Sequence, residues 1–229
     1  MILGVLQGRM SSSRLPGKVL ADVVGMPMIG RQVERLRRSK RLDALVLATS
    51  NQAADDPLAD YCNSLGIGVI RGPLHDVLTR FTMVLDAFPQ ASLLTRLTAD
   101  CPLTDWRVLD EVIGRLDQAD YVNNTAERTF PHGLDVEAMR AETLWIAAAE
   151  ATDAYDREHV TPFIYRHPER FRIAGLTRTP SLAHLRWTVD YPQDLDFARH
   201  VYGALYEGDP DFGTEAIAAL AWNSSRATL

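Results

Sequence analysis

The chain alternates short apolar, β-rich segments with segments of helical pattern, and this alternation limits its fold more than any other feature. The strand-like segments are Ile2–Leu6, Leu45–Thr49, Gly68–Ile70, Leu93–Thr98, Tyr121–Asn123 and Leu185–Val189. Strands that alternate with helices predict an α/β fold with a mostly parallel sheet. With 229 residues, 46% of them hydrophobic, the chain can bury one substantial core, which predicts a single domain over residues 1–229.

Three segments show helical periodicity most clearly. After Pro27, which suits a first helical turn, an apolar face recurs at Ile29, Val33 and Leu36. The arginines of this segment, Arg31, Arg35 and Arg38, are expected to face solvent. A second helix is predicted from Asp76 to Phe88, with Asp76 suited to capping its N-terminus. A third is predicted from Pro192 to Tyr206.

Two stretches depart from this pattern. Residues 126–137 (AERTFPHGLDVE) are polar and contain Pro and Gly, which predicts an inserted loop or hairpin. Ligands bind at the carboxyl ends of strands in open α/β sheets, so this insertion is a candidate acceptor site. The polar tail over residues 223–229 is expected to fray.

Charge and cysteine content exclude several classes of protein. The formal net charge of −6 provides no global basic field for nucleic acid or an anionic membrane surface. No apolar run approaches the roughly 20 residues that span a bilayer. Cys62 and Cys101 are far apart and form no CxxC pattern, which predicts reduced thiols rather than a zinc site. These features predict a soluble, cytoplasmic protein.

The segment from Gly8 to Leu20 (GRMSSSRLPGKVL) directly follows the first predicted strand and carries the strongest chemical signal. It combines glycines and a serine run with the cations Arg9, Arg14 and Lys18. Backbone N–H groups, a bidentate guanidinium and a compact ammonium together suit a triphosphate. The segment matches neither GxxxxGK[ST] nor GxGxxG. A flexible, solvated loop with incidental basic residues is the competing interpretation.

Two aspartates follow predicted strands. Asp100 comes directly after LLTRLTA, and Asp190 directly after RWTV. Carboxylates at the ends of two strands of one sheet could converge and hold Mg²⁺, which prefers one or two carboxylates plus phosphate oxygens. The alternative is that each aspartate caps the turn or helix that follows it.

Seven ordered motifs make the sequence resemble a known family: RMSSSRLPGKVL, VLATSN, RGPLHDVLTRF, RLTADCPL, FPHGLDVE, REHVTPFIY and LRWTVDYPQDL. They resemble the SpsF-like cytidylyltransferases of spore coat polysaccharide biosynthesis, which are related to CMP-Kdo and CMP-acylneuraminate synthetases. The resemblance extends to about Tyr206. It implies the nucleotide-diphospho-sugar transferase fold, a Rossmann-like three-layer sandwich with a mostly parallel mixed sheet, and by analogy leaves a homodimer open.

The resemblance also assigns roles to residues. It implies that Arg9, Arg14 and Lys18 hold the triphosphate and that Asp100 and Asp190 bind Mg²⁺. Base and ribose contacts are implied for Leu6, Gln7, Gly8, Thr49, Asn51, Arg71 and Thr98. The acceptor side is marked by His132, Asp135, Glu137, Arg157, Glu158, His159 and Arg186, which could equally form structural networks. Cys101 is rejected as a nucleophile because no paired His and Asn accompany it.

The implied reaction is transfer of a nucleoside monophosphate, from CTP, to an acidic sugar-like acceptor with release of pyrophosphate. Attack on the α-phosphorus would be in line, and catalysis would rest on positioning and electrostatics. A sugar-1-phosphate nucleotidyltransferase shares this logic and stays open. A glycosyltransferase is a further alternative, although DFGTE and DLD lie outside a strand-end context. A non-catalytic nucleotide-sugar binding protein is a further alternative. The presence of Arg9, Lys18, Asp100 and Asp190 together argues against it, because such a protein would not need this catalytic set.

Overall fold

A mixed sheet forms the centre of the protein, in a computed structural model that describes residues 1–226, with side chains through residue 220. The strands are β1 (Ile2–Gln7), β2 (Ala44–Ser50), β3 (Gly68–Gly72), β4 (Leu93–Thr98), β5 (Tyr121–Asn123), β6 (Glu137–Arg140) and β7 (Ile173–Gly175). Their order across the sheet is β3-β2-β1-β4-β6-β5-β7. Only β6 runs antiparallel to its neighbours among these strands, which confirms the predicted mostly parallel mixed sheet.

The register of the central strands brings three strand ends together. Gln7, the last residue of β1, pairs with Ala48 on β2 and with Thr98 at the end of β4. Because parallel strands share their carboxyl edge, the segment after β1 and the turn after β4 leave the sheet side by side. This edge therefore places the Gly8–Leu20 segment next to Asp100.

Helices cover both faces of the sheet. The described α-helices are α1 (Met28–Leu36), α2 (Asp56–Ser64), α3 (Val77–Ala87), α4 (Trp106–Gly114), α5 (Ala141–Glu150), α6 (Ala154–His159), α7 (Pro162–Tyr165), α8 (Pro192–Leu205) and α9 (Thr214–Arg226). Short 3₁₀ turns lie at Lys18–Leu20, Ala53–Asp55 and Arg115–Asp117. None of the helices within the described residues is long and apolar enough to cross a membrane.

Side-chain alternation along the strands divides the core into two clusters. Leu6 of β1 packs with α1, α4 and α8, whereas its neighbour Val5 packs with α3, α5 and α7. Successive side chains of a strand point to opposite faces, so the two clusters lie on the two sides of the sheet. This arrangement confirms the predicted three-layer sandwich.

The helices predicted from Asp76 and from Pro192 are both confirmed. The Asp76 side chain accepts a hydrogen bond from the Thr79 N–H at 3.0 Å and caps α3. At the start of α8, Asp194 accepts from the Tyr191 N–H at 2.9 Å, with Pro192 in the first turn. Each cap pairs backbone donors that a helix start would otherwise leave unpaired.

The strand predicted at Leu185–Val189 is wrong. The segment forms an isolated bridge between His132 and Arg186 and joins none of the described strands of the sheet. Its N–H groups bond elsewhere: Trp187 and Thr188 donate to the His132 carbonyl, and Val189 donates to the Asp100 carbonyl at 2.8 Å. Because these partners lie in two separate loops, no continuous ladder forms.

Strands β6 and β7 carried no prediction. They are 4 and 3 residues long. The insertion predicted over 126–137 is irregular through residue 136, and Glu137 opens β6. Of the tail predicted over 223–229, residues 223–226 lie in α9, and residues 227–229 lie outside the described residues.

The expectation that the arginines of α1 face solvent is wrong for Arg31 and Arg35, which are 5% and 2% exposed. Arg31 donates to the Val23 carbonyl at 3.0 Å and lies over the Tyr206 ring. Arg35 donates to the Phe212 carbonyl at 2.8 Å. Elements from the C-terminal part of the chain cover this side of α1, and Arg38 is half-buried there as well.

Candidate active site

The segment after β1 folds back on itself and turns Lys18 inward. The Met10 N–H donates to Asp55 Oδ1 at 2.7 Å, and the Met10 carbonyl accepts from the Gly17 N–H at 2.9 Å. Gly17 has φ +74°, a left-handed conformation that glycine adopts without steric cost. The turn it makes leads directly into Lys18, which is buried.

Lys18 joins the two aspartates that the sequence places 90 positions apart, at 100 and 190. Its Nζ atom lies 3.1 Å from Asp100 Oδ2 and 3.0 Å from Asp190 Oδ1, and it donates to the Val189 carbonyl at 2.6 Å. An ammonium has three donors, so all of them are used. The predicted convergence of the basic segment with both carboxylates is therefore present in the structure.

Asp190 is held by two further cations. Arg14 donates to Asp190 Oδ1 at 2.6 Å, and Arg186 donates to Asp190 Oδ2 at 2.7 Å. Burial alone would raise the pKa of Asp190, but the bonds from Arg186 and Lys18 and the charge of Arg14 outweigh it, so this pKa lies below its ordinary value. Asp190 is therefore a carboxylate at neutral pH.

A cavity of about 280 Å³ opens over this cluster. The cavity lining includes these residues implied for triphosphate, base or metal binding: Gln7, Gly8, Arg9, Arg14, Lys18, Thr98, Asp100 and Asp190. Of the acceptor candidates, it is lined by Glu158 and His159. Its lining thus joins loops from β1 and β4 with the end of α6, and it offers cations, carboxylates and an imidazole to one ligand.

The carboxylates fit a divalent cation that takes part of its coordination from a ligand. Asp100 is about a quarter exposed, and within the described part of the chain its Oδ1 accepts a hydrogen bond only from the Cys101 thiol, 3.5 Å away. Among the described residues no group of three or more His, Cys, Asp or Glu side chains could hold a metal. Mg²⁺ is commonly bound by one or two carboxylates plus phosphate oxygens and waters. The residues present match that pattern.

The other residues implied for base and ribose do not line the cavity. The Leu6 side chain lies in the core, and the Thr49 hydroxyl donates to Asp55 Oδ2 at 3.1 Å. Asn51 is exposed just after β2. Arg71 pairs with Asp56 at 2.6 Å and donates to backbone carbonyls of the same turn. Thr49, Asn51 and Arg71 lie around the Asp55 turn that supports the Gly8–Leu20 segment. The nucleotide contacts of all four residues stay predictions.

The remaining acceptor candidates are dispersed. His132 is exposed, and its carbonyl holds the 187–188 backbone. Asp135 is paired with Arg128 at 2.6 Å. Arg157 binds Asp76 at 2.8 Å and donates to the Ala151 carbonyl at 2.9 Å. Their side chains do not line the cavity, and their roles in acceptor binding also stay predictions.

Glu137 belongs to a buried network. It accepts hydrogen bonds from the hydroxyls of Tyr121 and Thr161 and from the Arg96 guanidinium. Burial and the adjacent Glu137 carboxylate raise the pKa of Tyr121 well above its ordinary value. Buried polar groups with every partner in place rigidify the region around them. This network ties β4, β5 and β6 to the start of α7.

Arg80 lines the cavity and was missed by the sequence analysis. It lies on α3 and is 2% exposed. A signal was available, because Arg80 falls three positions after Val77 and four before Val84 and so shares their apolar face. A charge on a face that otherwise enters the core indicates either a buried partner or a ligand.

Cys101 also lies at this site, and it is 4% exposed. Burial and the neighbouring Asp100 carboxylate raise the pKa of its thiol well above the ordinary value. The thiolate is the nucleophilic form of cysteine, so this environment disfavours covalent catalysis by Cys101.

Comparison with known proteins identifies the family. The family model described as cytidylyltransferase matches residues 3–203. The spore coat polysaccharide biosynthesis protein SpsF of Bacillus subtilis is 35% identical, over 99% of this chain and 97% of that protein. A 3-deoxy-manno-octulosonate cytidylyltransferase of Chlamydia trachomatis is 29% identical over 58% of this chain and 53% of its own length.

A solved structure agrees over nearly the whole chain. A cytidylyltransferase from Leptospira borgpetersenii superposes with a TM-score of 0.91 at 26% identity, covering 98% of this chain and 95% of that one. The chain belongs to the cytidylyltransferase family and is a nucleotidyltransferase.

Proposed function

We propose that the protein uses CTP to activate an acidic sugar or sugar-like acceptor to its CMP derivative, with release of pyrophosphate, for synthesis of a surface or spore coat polysaccharide. One observation carries the proposal: Lys18 bridges Asp100 and Asp190 inside a cavity that Arg9 and Arg14 also line. The names of the two relatives support the nucleotide, the acceptor class and the pathway, since one is a 3-deoxy-manno-octulosonate cytidylyltransferase and the other belongs to spore coat polysaccharide synthesis.

The reaction forms a bond between an acceptor oxygen and the α-phosphorus and breaks the bond from that phosphorus to the β-phosphate bridging oxygen. Arg9, Arg14 and Lys18 stabilise the negative charge on the phosphates and orient them for in-line attack. Asp100 and Asp190 would hold Mg²⁺, which would supply positive charge to the phosphates. Lys18 lines the same cavity and can donate to phosphate oxygens there.

A free hydroxyl acceptor must also lose a proton. Asp100 and Asp190 are engaged by Lys18 and Arg14, whereas Glu158 and His159 line the same cavity with exposed side chains. Either side chain is a candidate general base for an acceptor hydroxyl within hydrogen-bond reach. A phosphate acceptor would need no such base.

The test is a pyrophosphate-release screen. CTP, UTP, ATP and GTP are each combined with Kdo, nonulosonic acids and sugar 1-phosphates, with and without Mg²⁺. We expect release that requires CTP, a free acidic sugar and the divalent ion together. Release only with a sugar 1-phosphate would instead select an NDP-sugar synthetase. No pyrophosphate release from any combination, together with sugar transfer from a separately supplied nucleotide sugar, would select a glycosyltransferase.

A further inference from the structure

Arg80 is a buried cation with unpaired nitrogens beside the cavity. Its Nε and Nη1 atoms are buried and have no hydrogen-bond partner among the described residues. Buried charged groups are normally paired, because desolvating a charge without a partner is costly. Gly72 packs against the stem of Arg80, since a Cβ there would lie 2.7 Å from Arg80 Cγ. The side chain is thus held in place without a partner for these nitrogens.

The charges around Arg80 do not supply that partner. Burial lowers its pKa to about 10, and the nearby positive charge of Arg9 adds to this effect. The carboxylates that oppose it, Asp55 and Asp76, are committed elsewhere. Asp55 accepts from the Met10 N–H, and Asp76 caps α3 and pairs with Arg157. Arg80 is therefore left with a second cation as its strongest electrostatic neighbour.

Arg9, which is half-buried, also lacks a partner for its charge among the described residues. Within the described part of the chain it makes no hydrogen bond or ion pair, and it lines the cavity with Arg80. Arg14 and Lys18 differ, because Asp100 and Asp190 already neutralise them. The cavity therefore has one region of compensated charge, at the two aspartates, and one of uncompensated positive charge, at Arg9 and Arg80.

We propose that Arg9 and Arg80 form an oxyanion subsite that binds the terminal phosphates of the nucleoside triphosphate. A neutral nucleobase would leave two converging cations without compensation, whereas a phosphate supplies both negative charge and several acceptor oxygens. The pyrophosphate portion needs such a site, since it gains charge as it leaves. The inference rests on the proposed function and adds Arg80 to the residues that hold the substrate.

The test separates binding from folding. Arg80→Met keeps the aliphatic stem and removes the charge, and Arg80→Lys keeps a charge but loses the fork of donors. Calorimetry measures binding of tripolyphosphate and pyrophosphate without metal, and of CTP with Mg²⁺. We expect Arg80→Met to weaken tripolyphosphate binding on the order of 10- to 100-fold. Arg80→Lys should lie between that variant and the natural protein.

The melting temperature gives the independent readout. Removing an unpaired buried charge should leave the Tm of Arg80→Met unchanged or higher, as expected for a group kept for binding. The matched control is Arg35→Met, which removes a buried arginine that bonds the Phe212 carbonyl. We expect this control to have a lower Tm and unaltered affinity for tripolyphosphate.

Three results would overturn the proposal. Unchanged polyphosphate affinity in both Arg80 variants would remove Arg80 from the subsite. Unchanged polyphosphate affinity with a raised KM for the acceptor alone would assign the subsite to an acceptor carboxylate or phosphate. If the natural protein bound neither polyphosphate nor any nucleoside triphosphate, the proposed function would fail together with this inference.

Discussion

Replacing Lys18 with methionine tests the centre of the site most directly. The change removes the ammonium and keeps an unbranched apolar side chain of similar length. It deletes the bonds to Asp100, Asp190 and the Val189 carbonyl at once. We expect a loss of stability and a larger loss of turnover, and the structure lets the two be estimated separately.

The stability effect follows from burial. The side chains of Lys18 and Asp190 are 8% and 10% exposed, and that of Asp100 is 27% exposed. Removing one partner of a buried ion pair costs about 3–5 kcal/mol. The lower end, about 3 kcal/mol, applies here because Asp190 keeps Arg14 and Arg186 and because water reaches Asp100. In a chain of this length that corresponds to a fall in Tm of about 6–12 °C.

The turnover effect follows from electrostatics. Removing one positioned group that stabilises transition-state charge typically lowers kcat about 10²- to 10³-fold. The variant also leaves two carboxylates close together with one fewer cation between them. A divalent cation can replace the missing charge, so we expect Mg²⁺ to raise the Tm of Lys18→Met more than that of the natural protein.

The assays are thermal unfolding with EDTA or Mg²⁺ and pyrophosphate release under saturating substrates. The chain's other lysine, Lys40, is exposed and does not line the cavity, so Lys40→Met is the matched control and should behave as the natural protein. A reduced Tm with unchanged kcat would refute the role of Lys18 in phosphate stabilisation. Unchanged Tm and kcat would refute the bridge itself.

Two further predictions concern Asp190 and the loop that supports it. Because the pKa of folded Asp190 is depressed, its contribution to stability is present above its unfolded pKa of about 3.9 and is lost as the pH falls through the folded value. Urea unfolding should therefore show a deficit in Asp190→Asn at pH 7 that shrinks below about pH 4; a deficit independent of pH would contradict this. Gly133→Ala should lower both Tm and turnover, because φ is +102° and an added Cβ would lie 2.4 Å from the Thr188 nitrogen. Unfolding and pyrophosphate release measure both effects, and a Tm equal to that of the natural protein would show that the backbone accommodates the methyl group.

Local patterns were sufficient for the main features of the fold and for the centre of the site. The strand at Leu93–Thr98 and the helix capped by Asp76 depend on residues within a few positions of each other. The convergence of Asp100 and Asp190 was expected from the rule that parallel strands end at one edge of a sheet. That rule led to a correct expectation of convergence even though the 185–189 segment is not a strand of the sheet.

Features that depend on distant parts of the chain escaped prediction. Arg31 and Arg35 are buried because Tyr206 and Phe212, more than 170 positions away, pack over their side of α1. The hydrogen bonds of the 185–189 segment go to His132 and Asp100, and periodicity carries no information about such partners. Arg80 differs, because its place on an apolar helix face was visible in the sequence.

The hydrogen bonds of the 187–189 backbone limit which loop exchanges could alter acceptor preference without loss of activity. The Val189 N–H donates to the Asp100 carbonyl, and the N–H groups of the preceding two residues donate to the His132 carbonyl. Gly133 lies against the Thr188 backbone. A chimaera that exchanges residues 126–136 between relatives would therefore also change the hydrogen bonds that position Asp190. Grafts that retain glycine at 133 and leave the carbonyl at 132 available should keep the phosphate chemistry intact, and those that do not should be inactive towards every acceptor.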